Sequence, residues 1–296
     1  MAIPSQPTAT TIVTEAYNLA GISSPSAAQI VRATNYGLEK VKRDIMNLGK
    51  AWKPLLITAY HITKAGVSHY ANPSDFSVDF SVGHMTGTHS GALTAVASAS
   101  VMTLAADEDV TQAFAEGKWL LITSGTGTKQ AEQIDDYNAT TKVATLRQSL
   151  TTAPAAGDGY LIVDSVADLA RRPLQLYDKY MGSGTKAAPT MYFLIETAAY
   201  GEIAVYPVPD AVAGLRYKYY ADLLKTDLDS ALYSTILRRW AGVFTQGAFV
   251  WVLQDNDDTR AETEKQVYFG MLANLAAWDM VGHPKWLPGQ NEGGSR

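Results

Sequence analysis

The sequence predicts an α+β protein: a helical bundle core, built from an N-terminal helix pair and a C-terminal helical hairpin, with a small antiparallel β-sheet and an inserted all-β sandwich or barrel domain. Three observations lead there. Apolar residues recur at helical spacing near both ends of the chain, from Ile12 to Leu48 and from Leu232 to Trp278. Two alternating runs, Ile203–Tyr206 and Leu215–Tyr220, meet at a proline-stiffened corner. From about Gly83 to about Asp164, Gly, Ser, Thr and Ala displace charged residues, and short apolar runs alternate with turns. The expected division is therefore 1–86 with 165–282 as a discontinuous core, 87–164 as the inserted β domain, and 283–296 as an extended tail.

Taken in order, Thr10 and Thr11 precede a short helix carrying Ile12, Ala16 and Leu19 or Ala20, with Gly21 as its C-cap. Ser24 and Pro25 open a longer helix whose apolar series is Ala27, Val31, Thr34, Leu38, Val41, Ile45 and Leu48, ended by Gly49. Its other side, with Arg32, Glu39, Lys40, Arg43 and Asp44, reads as a solvated or inter-subunit face. The run "WKPLLITAYHIT" starts a strand after Pro54 that is largely apolar on both faces. Six strands are expected in the inserted domain, at 92–97, 101–104, 118–123, 129–137, 142–146 and 160–163. Residues 172–191 form a loop-rich return with a mobile tip at "GSGTKAAP".

The strand ending in Ile203, Val205 and Tyr206 stops at Pro207 and Pro209, which lack N–H donors for sheet pairing, and Asp210 turns the chain. The next strand sets Leu215, Tyr217 and Tyr219 against Arg216, Lys218 and Tyr220. After Asp229 and Ser230 come two helices. The first carries Leu232, Ile236, Trp240, Val243, Phe244, Gly247 and Trp251; the second carries Val267, Met271, Leu275 and Trp278, and opens with a capping box of Thr259 and Glu262.

Composition limits function. Charged residues are 18% of the chain, below the roughly 25% of ordinary soluble domains. Uncharged surface of this kind commonly meets protein. A net charge of −5 gives no basic footprint for tight duplex binding. There are no cysteines, so disulfides and thiolate metal sites are excluded. The start "MAIPSQPTATT" has neither a positive n-region nor an apolar h-region, so assembly inside a cell is expected, with no membrane involvement.

The candidate reactive motifs dissolve on inspection. "ITSGTGTK", Ile122–Lys129, follows a strand like a phosphate loop, but Gly125 and Gly127 are too close together and an alternating strand comes next. A hairpin turn fits better. Ser124 is no nucleophile elbow, because Ile122 stands at the first glycine position. "DNDD", Asp255–Asp258, lacks the glycine and glutamate of a calcium loop. His84 and His89, five apart in "GHMTGTHSG", have no nearby carboxylate. His61 reads as a core or interface histidine, while His69 and His283 have no partner visible in sequence. Asp135 and Asp136 point to opposite faces of a strand, which is wrong for an acid/base pair. Tyr217, Tyr219 and Tyr220 fit either a base-stacking platform or a half-buried strand. No catalytic residue, cofactor site or metal site is expected.

Taken together, the N-terminal helix pair, "AWKPLLITAYHIT", "PTMYFLIETAAYGEIAVYPVPD", "LRYKYYADLL" and "DNDDTRAETEKQVYFGMLANL" resemble the head-to-tail adaptor (connector) proteins of tailed bacteriophages. The likeness is to the tail-tubular-protein-A type of short-tailed phages, and it spans about two thirds of the chain. The order and spacing of the motifs carry it, above all Pro189–Tyr192, Ile203–Asp210 and Leu215–Tyr219. Residues 118–163 are similar to small β modules of phage structural proteins and depart from the minimal adaptor as an insertion.

The resemblance implies a non-enzymatic virion protein of the neck. It would form a homo-oligomeric ring of twelve copies beneath the portal protein, receive a downstream tail or nozzle protein below, and pass genomic DNA through its bore without sequence-specific binding. Net negative charge repeated around that bore would repel phosphates and let DNA slide. The tail from His283 is expected to reach the portal, with Trp286 and Leu287 as apolar anchors. Other roles open to the sequence are a stopper or terminator ring, a virion hydrolase, and a β-module that binds host-surface glycan through 87–164.

Overall fold

The computed structural model describes residues 8–48, 55–195, 201–224 and 231–281. His283, Trp286 and Leu287 lie outside the described residues, as do Asp229, Ser230 and the side chains of Leu232, Ile236 and Trp278. The chain divides into two compact units, 1–56 with 220–296, and 57–219.

In the first unit, α1 (Ala9–Leu19) starts at Thr8, whose side chain accepts from the Thr11 N–H while Thr11 returns a bond to the Thr8 N–H. It ends in a Schellman turn: Gly21, at φ +87°, donates to the Asn18 carbonyl, and Ile22 donates to that of Tyr17. Ile12, Val13, Ala16 and Tyr17 are buried; Leu19 is exposed. Ser26 caps α2 (Ala27–Arg32), which runs through a π-helical turn at Ala33–Leu38 into α3 (Glu39–Asn47). That turn explains why the expected apolar series fails halfway. A π turn inserts one residue and rotates the helix before it by about 100° relative to the helix after it. Leu38, Val41 and Ile45 therefore face the core, whereas Val31 faces solvent.

Two short helices, α4 (Gln112–Ala115) and α5 (Tyr177–Met181), belong to the second unit. The later helices of the first unit are α6 (Ala231–Asp255) and α7 (Ala261–Val281). From Val243 to Leu253, α6 is buried on nearly every side, as suits a helix enclosed by others. Close approach is allowed by glycine: a Cβ at Gly247 would stand 2.3 Å from Val41 Cγ2 and 2.8 Å from Tyr268 Cε2. On α7 it is Tyr268, Leu272 and Leu275 that are buried, with Val267 outside. The Thr259–Glu262 box does not form its start; Asp258 accepts from the Arg260 N–H, and Arg260 also donates to the Ala20 carbonyl at the end of α1.

The second unit holds three sheets. One has the order β1 (Leu56–Ile62), β15 (Gly214–Ala221), β3 (Phe76–Thr86), β11 (Ser165–Asp168). Another has the order β12 (Ala170–Arg171), β13 (Met191–Ile195), β14 (Glu202–Tyr206), β2 (His69–Ala71), with β12 parallel to β13. The third draws all its strands from 89–163. Its order is β4 (His89–Ala92), β10 (Gly159–Val163), β7 (Trp119–Ile122), β8 (Gln130–Asn138), β9 (Val143–Leu146), β6 (Val101–Thr103), β5 (Ala95–Ser98). Its two end strands, β4 and β5, are consecutive pieces of one run, separated only by Leu93 and Thr94. Leu93 bonds toward β10 through Asp158, and Thr94 bonds toward β6 through Thr103. The sheet therefore curls into a small barrel around Leu104, Leu120, Ile122, Ile134, Tyr137 and Ile162.

These sheets correct the expected α+β organisation. Among the described residues, fifteen strands in three sheets make the chain mainly β, and a helical bundle closed by a hairpin is not its organising core. The sequence understates the sheets because several strands lack alternation. On β3 the acid Asp79 points inward, held by Arg171 (2.9 Å) and the Tyr192 hydroxyl (2.7 Å), while Val78 points out. The strands β2, β11 and β12 are only two to four residues long and carry no apolar period. Among the described residues no helix is long and apolar enough to cross a membrane.

Candidate functional site

The group of side chains most able to act on a ligand sits at the mouth of the barrel. His89 opens β4, and its ring stands edge-on to Phe114 at 5.1 Å. Glu108 and Asp109 lie in the connection between β6 and α4, on which Phe114 sits. His89 Nδ1 is 2.8 Å from Glu108 Oε1 and 3.4 Å from Asp109 Oδ1. The Glu108 side chain is 4% exposed, an unusual position for a carboxylate, whereas Asp109 is 86% exposed. Burial of Glu108 is offset by donors. The Tyr160 hydroxyl donates to Oε2 at 2.6 Å, and the His89 Nδ1–H donates to Oε1. Tyr160 also accepts from the Ala105 N–H, which ties the acidic loop to β10. Burial first, and the bond to Glu108 second, drive the Tyr160 hydroxyl's pKa far above its ordinary value.

Below this cluster lies Tyr137 of β8, fully buried, its hydroxyl without a hydrogen-bond partner among the described residues. Burial raises its pKa, and the Glu108 charge raises it further, so this hydroxyl lies in the field of that carboxylate. His89, Glu108 and Asp109 are the described residues that bring three metal-ligating groups together, with ligand atoms within 4.8 Å of one another. Sequence reading finds His89 but pairs it with the wrong neighbour. His84 belongs to β3 in a different sheet, where burial lowers its pKa and Asp210 partly opposes that. The missed signal is the acidic run Asp107–Asp109, isolated in a stretch otherwise poor in charge.

The other sequence candidates are held by their own neighbours. The glycine loop after β7 joins the antiparallel pair β7–β8, in which Ile122 stands opposite Gln130. It already encloses an anion belonging to the protein: the buried Asp158 carboxylate accepts from the Gly127 N–H (3.3 Å) and the Ala155 N–H (2.9 Å). A Cβ at Gly125 would fall 1.8 Å from Asp158 Oδ1, so glycine is required there by contact as well as by its φ of +83°. In the acidic turn Asp255 pairs with Arg32 at 2.7 Å. The guanidinium of Arg260 holds Asp258 down at a pKa of about 2. Asp135 and Asp136 are both exposed, beside a bulge in the β8–β9 pairing.

Tyr217 and Tyr219 are buried and stacked at 5.5 Å, closing them to bases, and Tyr219 donates to Asp75 at 2.8 Å. Tyr220 packs against the helical core. His61 lies between Tyr70 and Tyr217, its Nε2 buried without a partner among the described residues. Burial lowers its pKa to about 4, with Lys129 adding to the effect. His69, on β2, meets the Tyr177 hydroxyl at 2.7 Å. A depression of about 150 Å³ is lined by His84, Thr86, Pro189, Pro209 and Asp210, below the several hundred Å³ usual for small-molecule sites.

No model of a known protein family matches this sequence, and no curated protein matches it either.

Proposed function

We propose that the chain is a structural subunit of a phage neck, a head-to-tail adaptor that works by lateral association into a ring, and that it carries out no covalent chemistry. In this reading about twelve copies close beneath the portal, a downstream tail protein binds below, and the genome passes through the bore. The observation that supports it most is where the unit 1–56 with 220–296 leaves apolar surface. Val31 (58% exposed), Tyr36 (60%), Val267 (49%) and Phe269 (45%) stand outward on helices whose cores are already filled. Side chains of this size outside a closed core suit burial against another subunit. In a closed ring each subunit presents two different, complementary patches, so the exposed apolar area is consumed at closure. The low charge content and the motif order described above support the same reading.

The test is mass photometry of the purified chain alone and mixed with the portal protein of the same virion. A complex carrying about twelve copies on the portal is expected. A chain that stays monomeric in both samples refutes the proposal. Replacing Val267 and Phe269 by Ser is expected to abolish ring formation while leaving the circular dichroism spectrum unchanged.

A further inference from the structure

We infer that His89, Glu108 and Asp109 form a binding site for one divalent metal ion of the zinc class, which fastens the 105–111 loop to the barrel mouth. The donor set fits that class. A single imidazole with two carboxylates is a mixed nitrogen and oxygen set of the kind zinc and its neighbours accept, and it lacks the six or more oxygens calcium takes. The geometry fits as well. Ligands at about 2.1 Å in a tetrahedron are roughly 3.4 Å apart. His89 Nδ1 and Asp109 Oδ1 are already separated by 3.4 Å. His89 Nδ1 and Glu108 Oε1, at 2.8 Å with a proton between them, need open by only about 0.6 Å once the ion replaces that proton. The neutral imidazole then carries its hydrogen on Nε2 and presents a bare Nδ1.

An independent observation also favours a ligand here. The Tyr137 hydroxyl is fully buried, feels the Glu108 charge and has no hydrogen-bond partner among the described residues. A buried hydroxyl left in that condition costs about 1–3 kcal/mol. The Tyr160 hydroxyl meanwhile orients Glu108 from behind, as the outer partners of metal-bound carboxylates do. Because Asp109 is at the surface, the fourth position faces solvent and takes water. The site is a fastening between loop and strand, independent of whether copies of the chain form a ring.

Isothermal titration of the chelator-treated full-length chain with zinc chloride is expected to give one saturable site. With cobalt(II) as the probe, the visible absorption of a four-coordinate ion should appear at the same stoichiometry. His89→Gln and Asp109→Asn should each weaken zinc binding at least tenfold. Asp109 is exposed and its substitution leaves the fold intact, so the result does not depend on the buried Glu108 tolerating change. Thermal melting of the wild-type chain should rise with zinc and not with calcium. The inference is overturned if the wild-type chain shows no saturable zinc site, if calcium binds in preference to zinc, or if both variants bind as the wild type does.

Discussion

Three glycines on α6 and α7 give a graded test of how the helices of the first unit pack. Replacing glycine by alanine inside a helix ordinarily stabilises it by about 1 kcal/mol, because the unfolded chain loses freedom and the helix gains a favourable residue. At Gly270 a Cβ meets nothing within 4 Å among the described residues, so Gly270→Ala should deliver that gain in full. At Gly242 the only neighbour among the described residues is the flexible end of Met271, 3.3 Å away, and the substitution should be close to neutral. At Gly247 the Cβ falls 2.3 Å from Val41 Cγ2 and 2.8 Å from Tyr268 Cε2. The tyrosine ring cannot swing aside freely, since its hydroxyl donates to Asp44 at 3.1 Å. Overpacking of this kind costs about 1–3 kcal/mol, which matches or exceeds the helix gain. Gly247→Ala should therefore destabilise by up to about 2 kcal/mol, a difference of about 1–3 kcal/mol from Gly270→Ala. Urea unfolding followed by circular dichroism at 222 nm reads all three. Equal stability of the Gly247 and Gly270 variants would refute the packing of α6 between α3 and α7.

The buried polar groups supply the remaining tests. Folded His61 titrates at about 4, whereas the unfolded chain takes up that proton near 6.5. Its contribution is fully present above pH 6.5 and drains as the pH falls toward 4, by about 3 kcal/mol in all; His61→Phe should flatten the stability profile across that interval. Asp158→Ala strips the acceptor from two backbone N–H groups and should cost about 2 kcal/mol. Phosphate or nucleotide added to the wild-type chain should produce no thermal shift through the glycine loop, and a shift abolished by Asp158→Ala would contradict that account. Asp79→Ala removes the partner of Tyr192 and of Arg171 and should cost about 3 kcal/mol, with Tyr192→Phe costing less because Arg171 still answers the carboxylate.

What the sequence shows and hides divides along physical lines. Local chemistry is legible: Gly21 marks the end of α1 because only glycine takes that φ cheaply, and the apolar runs of 101–104, 118–123 and 142–146 coincide with β6, β7 and β9. Register is not. Nothing in the composition of 33–38 announces a π turn, so Val31 reads as core and stands outside. The inward Asp79 is equally silent, because its partners come from 92 and 113 residues further along, at Arg171 and Tyr192. The mainly β character is hidden for the same reason: β2, β11 and β12 are defined by their neighbours and not by any pattern of their own. The barrel-mouth cluster escapes notice because His89 and Glu108 are 19 residues apart, a separation with no helical or strand period to expose it.

The way β4 runs on into β5 has a consequence for assembly. β4 gives one ladder to β10 and β5 gives one ladder to β6, so each half of that single run is committed on one side and its remaining flank is only four residues long. Strand addition by a second copy is thereby limited to these short ladders. A neighbour that joins it over a larger area does so through side chains, where specificity can be written one residue at a time.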